Sequence, residues 1–387
     1  MRKVYLDSNA TTKVHPSVLE AMAPFWDEVY GNASSVHLFG REARKGVEKA
    51  REQVAALINA SPEEIIFTSG GTESDNFALK GTANLSKNKG RHIITSSVEH
   101  HAVLNTCKYL EAHGSRVTYL GVDESGVVDM DELRESISAD TALISIMAAN
   151  NETGTIMPVE EIGQIAREKD IPFHTDAVQA IGKIPFDVGA LGTSLVSISG
   201  HKIYGPKGIG ALYVKKGTRL DKCQHGGHHE RNMRAGTENV PGIVGLGMAC
   251  ELARTEGIAA YADVEKLRDK FYHRLENEIR QIKLNGHPSK RLPNTLNVSF
   301  HYLEGESIIL SLDLEGIAAS TGSACTSGSL ESSHVLKSMG VDPLFAQGSV
   351  RFSFSVFNTE EDIDHVMEKM PSIINRLRQM SPVYKHE

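Results

Sequence analysis

The feature that most restricts how this chain can fold is a series of short apolar runs, each separated from the next by a helix-length or loop segment. They are Ile65-Ile66-Phe67, His92-Ile93-Ile94-Thr95, Val117-Thr118-Tyr119-Leu120, Leu143-Ile144-Ser145-Ile146-Met147, Ile171-Pro172-Phe173-His174 and Leu195-Val196-Ser197-Ile198. Each is too short for a buried helix and reads as a strand covered on both faces. Strands alternating with helices at this spacing close as a largely parallel, doubly wound sheet, so the fold class is α/β. Helices are expected upstream over 17–30 and 41–59, the second carrying Val47, Ala50, Val54, Leu57 and Ile58 on one face.

Beyond about Gly257 the pattern changes. Val264, Leu267, Phe271, Leu275, Ile279 and Ile282 mark one face of a long helix, and strand-like Thr295–Phe300 and Val350–Phe354 follow. The expected organisation is a large domain over 15–256 and a smaller α+β domain formed by 257–387, with 1–14 folding back onto it.

Composition narrows the function classes. A chain of 387 residues that is 40% hydrophobic can bury a sizeable core. Its net charge of -8, with both signs scattered, gives no basic stripe for a phosphate backbone, so no direct nucleic-acid ligand is expected. Cys107, Cys223, Cys250 and Cys325 lie far apart without a CxxC pair, which fits reduced thiols rather than a disulfide framework or a four-cysteine zinc site. No signal-like start and no run of ~20 apolar residues is present. A soluble, cytoplasmic protein without a membrane segment is expected.

In an open parallel sheet, ligands gather beyond the carboxyl ends of the strands. The polar residues fall there. Thr68-Ser69-Gly70-Gly71-Thr72-Glu73-Ser74-Asp75 is a glycine turn opening a helix, suited to a phosphate or simply an ordinary capped helix. Glu99-His100-His101 and Asn150-Asn151-Glu152 follow two further strands. Asp176 ends another, as a helix cap or a charge partner, and Lys202 follows 26 positions later in Ser199-Gly200-His201-Lys202. A lone lysine of this kind is an ordinary surface residue. Together, a strand-end acid, a strand-end amine and a glycine turn are what pyridoxal phosphate needs: the amine bonds its carbonyl carbon, the acid keeps the pyridine nitrogen protonated, and the turn holds the phosphate.

The sequence resembles the cysteine desulfurases, pyridoxal-phosphate enzymes of the class-V aminotransferase family that serve iron–sulfur cluster assembly. The resemblance is carried by Tyr5-Leu6-Asp7 with Ala10-Thr11-Thr12, Phe67–Ser74, Ala149–Glu152, Asp176-Ala177-Val178-Gln179, Ser199–Lys202, Arg234-Ala235-Gly236-Thr237 and Gly322-Ser323-Ala324-Cys325-Thr326-Ser327, which run in order through nearly the whole chain. It implies fold type I, with a mainly parallel seven-stranded sheet flanked by helices in the large domain.

The resemblance also implies roles. Lys202 would hold the cofactor and move protons, Asp176 would pair with the pyridine nitrogen, and Gln179 with the ring oxygen. His100 would stack on the ring and serve acid–base steps. Gly71, Thr72, Ser199 and His201 would bind the phosphate, with Thr237 reaching in from a second subunit of a homodimer. Asn151 and Arg351 would position the substrate L-cysteine, the guanidinium meeting its carboxylate. Cys325, in a Gly- and Ser-rich stretch, would take the sulfur as a persulfide, leaving L-alanine, and pass it to an iron–sulfur scaffold or other acceptor protein. No firm metal ligand is implied beyond Cys325 as a transient iron–sulfur cluster ligand.

A free thiol is mostly protonated at neutral pH, so Cys325 needs an activating group, for which His100 is a candidate. Cys107 and Cys250 read as inert buried residues. The loop Cys223-Gln224-His225-Gly226-Gly227-His228-His229 matches no zinc spacing. Rival readings are sulfur supply for tRNA or cofactor thiolation, another enzyme on this fold such as an aminotransferase or selenocysteine lyase, and a sulfur carrier without turnover.

Overall fold

The computed structural model describes residues 2–85, 91–222, 224–321, 333–382 and 384. Its strands, in chain order, are β1 (Val4–Tyr5), β2 (Ile65–Thr68), β3 (His92–Ser96), β4 (Arg116–Leu120), β5 (Thr141–Ser145), β6 (Phe173–Asp176), β7 (Leu195–Ser199), β8 (Gly210–Val214), β9 (Ile282–Asn285), β10 (Thr295–Phe300), β11 (Ile317–Ala318) and β12 (Ser349–Ser353). Strands β2 to β8 form one seven-stranded sheet in the order β2-β8-β7-β6-β5-β3-β4. Pairs among β3, β4, β5, β6 and β7 are parallel, whereas β8 runs antiparallel to both β2 and β7. Apolar side chains from both faces are buried, Ile94 and Ile144 against one core, Ile93 and Leu143 against another, as the unbroken apolar runs require.

A separate core gathers Val4 and Leu6 with Phe271, Leu296, Phe300, Ile317, Phe352, Ile363 and Met370. Here β10 lies between β9 and β12, antiparallel to each. The N-terminus joins this layer because β1 pairs in parallel with β11, Val4 opposite Ile317. Three local differences from the sequence reading have plain causes. The helix expected over 17–30 breaks into Pro16–Met22 and Pro24–Asp27, since Pro24 has no N–H to continue the ladder and instead starts a new turn. The long helix Ile258–Glu278 ends before Ile282, which enters β9 after Gln281 takes a left-handed φ of 54°. The early helix begins at Leu38, three residues sooner than expected, because His37 accepts the Gly40 N–H at its start.

Candidate active site

The carboxyl ends of β6 and β7 deliver the two residues that matter most. Asp176 closes β6, and its Oδ1 accepts the Val178 N–H at 2.9 Å. Burial pushes its carboxyl up to about 6, against the pull of that hydrogen bond and of the Lys202 charge. Beyond β7 a single tight turn, Gly200–Lys202, carries Lys202 back over the sheet, where Nζ donates to the carbonyls of Asn9 and Ala10, the latter at 2.8 Å. Both side chains line one cavity of about 430 Å³.

The expected residues Gly71, Thr72, His100, Asn151, Gln179, Ser199, His201 and Arg351 line the same cavity. Thr237 does not: within one chain it is exposed on the segment ahead of the helix Val240–Leu252. Cys325 and its loop lie outside the described residues, as does Cys223. A slightly larger surface groove, about 490 Å³ and lined by Met157, Pro158, Ile184 and Phe186, contains no acid–amine pair, so chemistry rather than size selects the site.

Behind β2 the chain turns at Gly70, whose φ of 151° suits glycine alone, and the helix Gly71–Leu85 begins with its N–H groups at the cavity. Ser74 Oγ fastens this turn to β8 through Ala211 O at 3.1 Å, and Glu73 ties it to Arg234 at 2.8 Å. A Cβ at position 71 would come 2.8 Å from Val178 Cγ2, so alanine there is not free of strain.

His100 caps the helix His101–Ala112, its Nδ1 accepting the Ala102 N–H at 3.1 Å. Burial, and then the charge of Lys202, lowers it to about 4. At neutral pH the ring is therefore uncharged and, with Nδ1 accepting, carries its proton on Nε2. Arg351, on β12, donates from Nη2 to Asp7 Oδ1 at 2.8 Å and from Nη1 to Asn151 O at 2.9 Å, while its buried Nε has no partner among the described residues. Each Nη keeps one further N–H, and the side chain lines the cavity, so the guanidinium can meet a carboxylate there.

These residues fit pyridoxal phosphate. A buried carboxylate with one oxygen committed to Val178 suits a pyridinium N–H, the helix N-terminus at Gly71 suits a phosphate, and Lys202 is the amine a carbonyl carbon needs. When bound, that group supplies the electron sink for a carbanion at the substrate's α-carbon.

The aminotransferase class-V family model matches residues 4–366 of this chain. A protein named "Cysteine desulfurase IscS" from Dictyoglomus turgidum is 54% identical over 386 residues, covering 100% of this chain and 98% of its own length. The chain belongs to the class-V aminotransferase family, among its cysteine desulfurases. A second protein of the same name, from Methanosarcina thermophila, is also 54% identical, over 95% of its own length. The solved structure of a "NIFS-LIKE PROTEIN" superposes with a TM-score of 0.92 at 45% identity, covering 97% of this chain and 100% of that one.

In this member of the cysteine desulfurases the sequence reading missed several cavity groups. Asn9 supplies a carbonyl to both Lys202 and Gln179. Asp7 holds Arg351, and Asp75 lines the cavity near Asp176 with its buried Oδ1 3.6 Å from His174 Nε2. For Asp7 the signal was its place in the N-terminal motif, and Asn9 lies between the two parts of that motif. For Asp75 it was its position one turn into the helix after the glycines.

Glu99 is buried behind this floor, with Oε1 accepting from Ser96 Oγ at 2.7 Å and Met147 N at 2.9 Å. Burial pushes its carboxyl from 4.5 up to about 8. The folded state thus holds a proton that the unfolded chain gives up, so this group's contribution is fully present below 4.5 and is lost as pH rises through about 8. Glu99→Gln, which stays neutral, is expected to gain on the wild type between pH ~5 and ~8, by a few kcal/mol at ~1.4 kcal/mol per unit. Denaturant unfolding at a series of pH values measures this; parallel pH curves would contradict it.

Proposed function

We propose that this cysteine desulfurase takes L-cysteine to L-alanine and leaves the sulfur on Cys325 as a persulfide, with pyridoxal phosphate held by Lys202 and Asp176. The observation that carries the reading is the convergence of Lys202, Asp176 and Arg351 on one cavity in a chain with full-length desulfurase relatives. Arg351 would hold the substrate carboxylate through the remaining N–H groups of its Nη atoms, with Asn151 beside it. Lys202, released from the carbonyls of Asn9 and Ala10, would remove and return the proton at the substrate's α-carbon. His100, neutral and protonated on Nε2, would cover one face of the ring and can give a proton. The Cys325 thiolate then attacks the substrate sulfur: an S–S bond forms, the C–S bond breaks with its electron pair left on carbon, and protonation there completes alanine.

The supply of sulfur to iron–sulfur cluster assembly is the role we favour, since the relatives are named for IscS. A homodimer is supported by the exposure of Trp26 (69%), Tyr30 (68%) and Val36 (88%), a surface that water disfavours. In such a dimer the exposed Thr237 would serve the partner copy's phosphate. Division into 15–256 against 1–14 with 257–387 is supported by the separate core around Val4, Phe271 and Phe352. Among the described residues no helix is long and apolar enough to cross a membrane.

Cys325→Ser tests the reading. Cofactor absorbance should stay near that of the wild type, while sulfide released from L-cysteine falls at least ~100-fold. Undiminished sulfide would remove Cys325 from the reaction, and turnover that depends on a keto acid instead would favour an aminotransferase.

A further inference from the structure

Four positions beyond Gln179 lies a buried cation to which nothing above gives a role. Lys183 is 3% exposed, and the charges acting on it, Lys202 and Arg351, are both positive. Its Nζ donates to Gln179 Oε1 at 2.9 Å. The other end of the same amide, Nε2, donates to Asn9 O at 3.0 Å, the carbonyl that also receives Lys202 Nζ.

A carboxamide has an acceptor end and a donor end, and here both are assigned. Lys183 can hydrogen-bond Oε1 as a donor, and the Asn9 carbonyl can only accept, so the amide is fixed one way round. Its second Nε2 proton is then the polar group that Gln179 offers to the cavity it lines. Burying an ammonium without a carboxylate is costly. Burial, followed by Lys202 and Arg351, accordingly lowers Lys183 to about 7, and His201 is the remaining titratable group that feels it. An ammonium this close to losing its proton holds it more firmly once a negative charge arrives on the other side of Gln179.

We propose that Lys183 is a positioning residue for an oxyanion on the cofactor ring: it turns the Gln179 N–H toward that oxygen and sets a positive charge behind it. The inference rests on the pyridoxal phosphate reading of the cavity and does not depend on what the enzyme does to its substrate.

The test uses the full chain freed of cofactor and 4-deoxypyridoxine 5′-phosphate, which keeps the ring hydroxyl, nitrogen and phosphate but has no aldehyde to bond Lys202. Affinity and the ultraviolet titration of the bound ring hydroxyl are measured for the wild type, Lys183→Met and Lys183→Arg. Lys183→Met should bind ~10-fold more weakly, and the hydroxyl should ionise ~1 pH unit higher. Lys183→Arg, which keeps charge and donor, should stay within ~3-fold of the wild type. Should Lys183→Met not fold, Lys183→Gln, which keeps a donor for Gln179 Oε1 and drops the charge, should still raise the ionisation pH of the hydroxyl. Unchanged affinity and an unchanged ionisation pH in Lys183→Met, or an unchanged ionisation pH in Lys183→Gln where Lys183→Met does not fold, would overturn the role of Lys183 alone. Failure of the wild type to bind the probe would overturn the cofactor reading, and this inference with it.

Discussion

Lys202→Ala is expected to lower L-cysteine turnover at least ~10³-fold while leaving the fold intact, because the residue's work is chemical rather than structural. In the structure its ammonium is held by two backbone carbonyls, Asn9 O and Ala10 O, which water can satisfy once the side chain is truncated. The turn that carries it is fixed independently: the Gly200 N–H bonds Ile209 O and the Gly205 N–H bonds Gly200 O. The variant should therefore melt within a few degrees of the wild type. Added pyridoxal phosphate should bind without the visible band that a lysine-linked cofactor gives. Alanine and sulfide release, melting temperature and absorbance are the three readouts. Retained turnover with a normal visible band would mean that another amine carries the cofactor, and Lys183 would then be the residue to examine.

Much of this was legible because strands and turns announce themselves locally. An apolar run of four or five residues that ends in Asp176 or Ser199 fixes a strand, its end and the residue delivered there. The cavity's other half was not legible, because it is made by contacts without sequence periodicity. Lys202 meets Asn9 across 193 positions, and Arg351 meets Asp7 across 344. No local pattern encodes such pairings; they follow only once β1 has paired with β11 and the N-terminus lies over the sheet. Strand β8 escaped the residue-level reading for a related reason. Gly-Ala-Leu-Tyr-Val follows a glycine-rich turn, and its antiparallel place between β2 and β7 breaks the alternation that revealed its neighbours. Lys183 was hidden by its type, since an isolated lysine after a turn is nearly always exposed.

Glu230→Ala should cost stability on the order of 3 kcal/mol or more and weaken cofactor binding as well, although the residue lies away from the cavity. Its carboxylate meets Arg51 in a two-pronged pair, both contacts at 2.8 Å, with side chains only 4% and 3% exposed. Removing Glu230 leaves the guanidinium buried with Glu48, the Ile65 carbonyl and the Phe67 ring as its remaining partners among the described residues. Glu230 Oε2 also accepts the Phe67 N–H at 2.9 Å, and Phe67 is the last apolar residue before the Thr68–Gly71 turn. Loosening it therefore reaches the phosphate end of the cavity. The pair further restrains Glu230, Arg231 and Asn232, three successive residues with φ of 44°, 52° and 66°, a conformation that side chains other than glycine resist by ~1–2 kcal/mol each. Arg51→Met with Glu230→Gln removes the buried charge and keeps an acceptor for Phe67, so the double variant should recover at least half of the loss. Denaturant unfolding of Glu230→Ala, of Arg51→Met and Glu230→Gln singly, and of the double variant, alongside cofactor affinity, measures both effects. A Glu230→Ala protein within ~0.5 kcal/mol of the wild type, or a double variant whose loss is the sum of the singles, would show that the ion pair does not hold this turn.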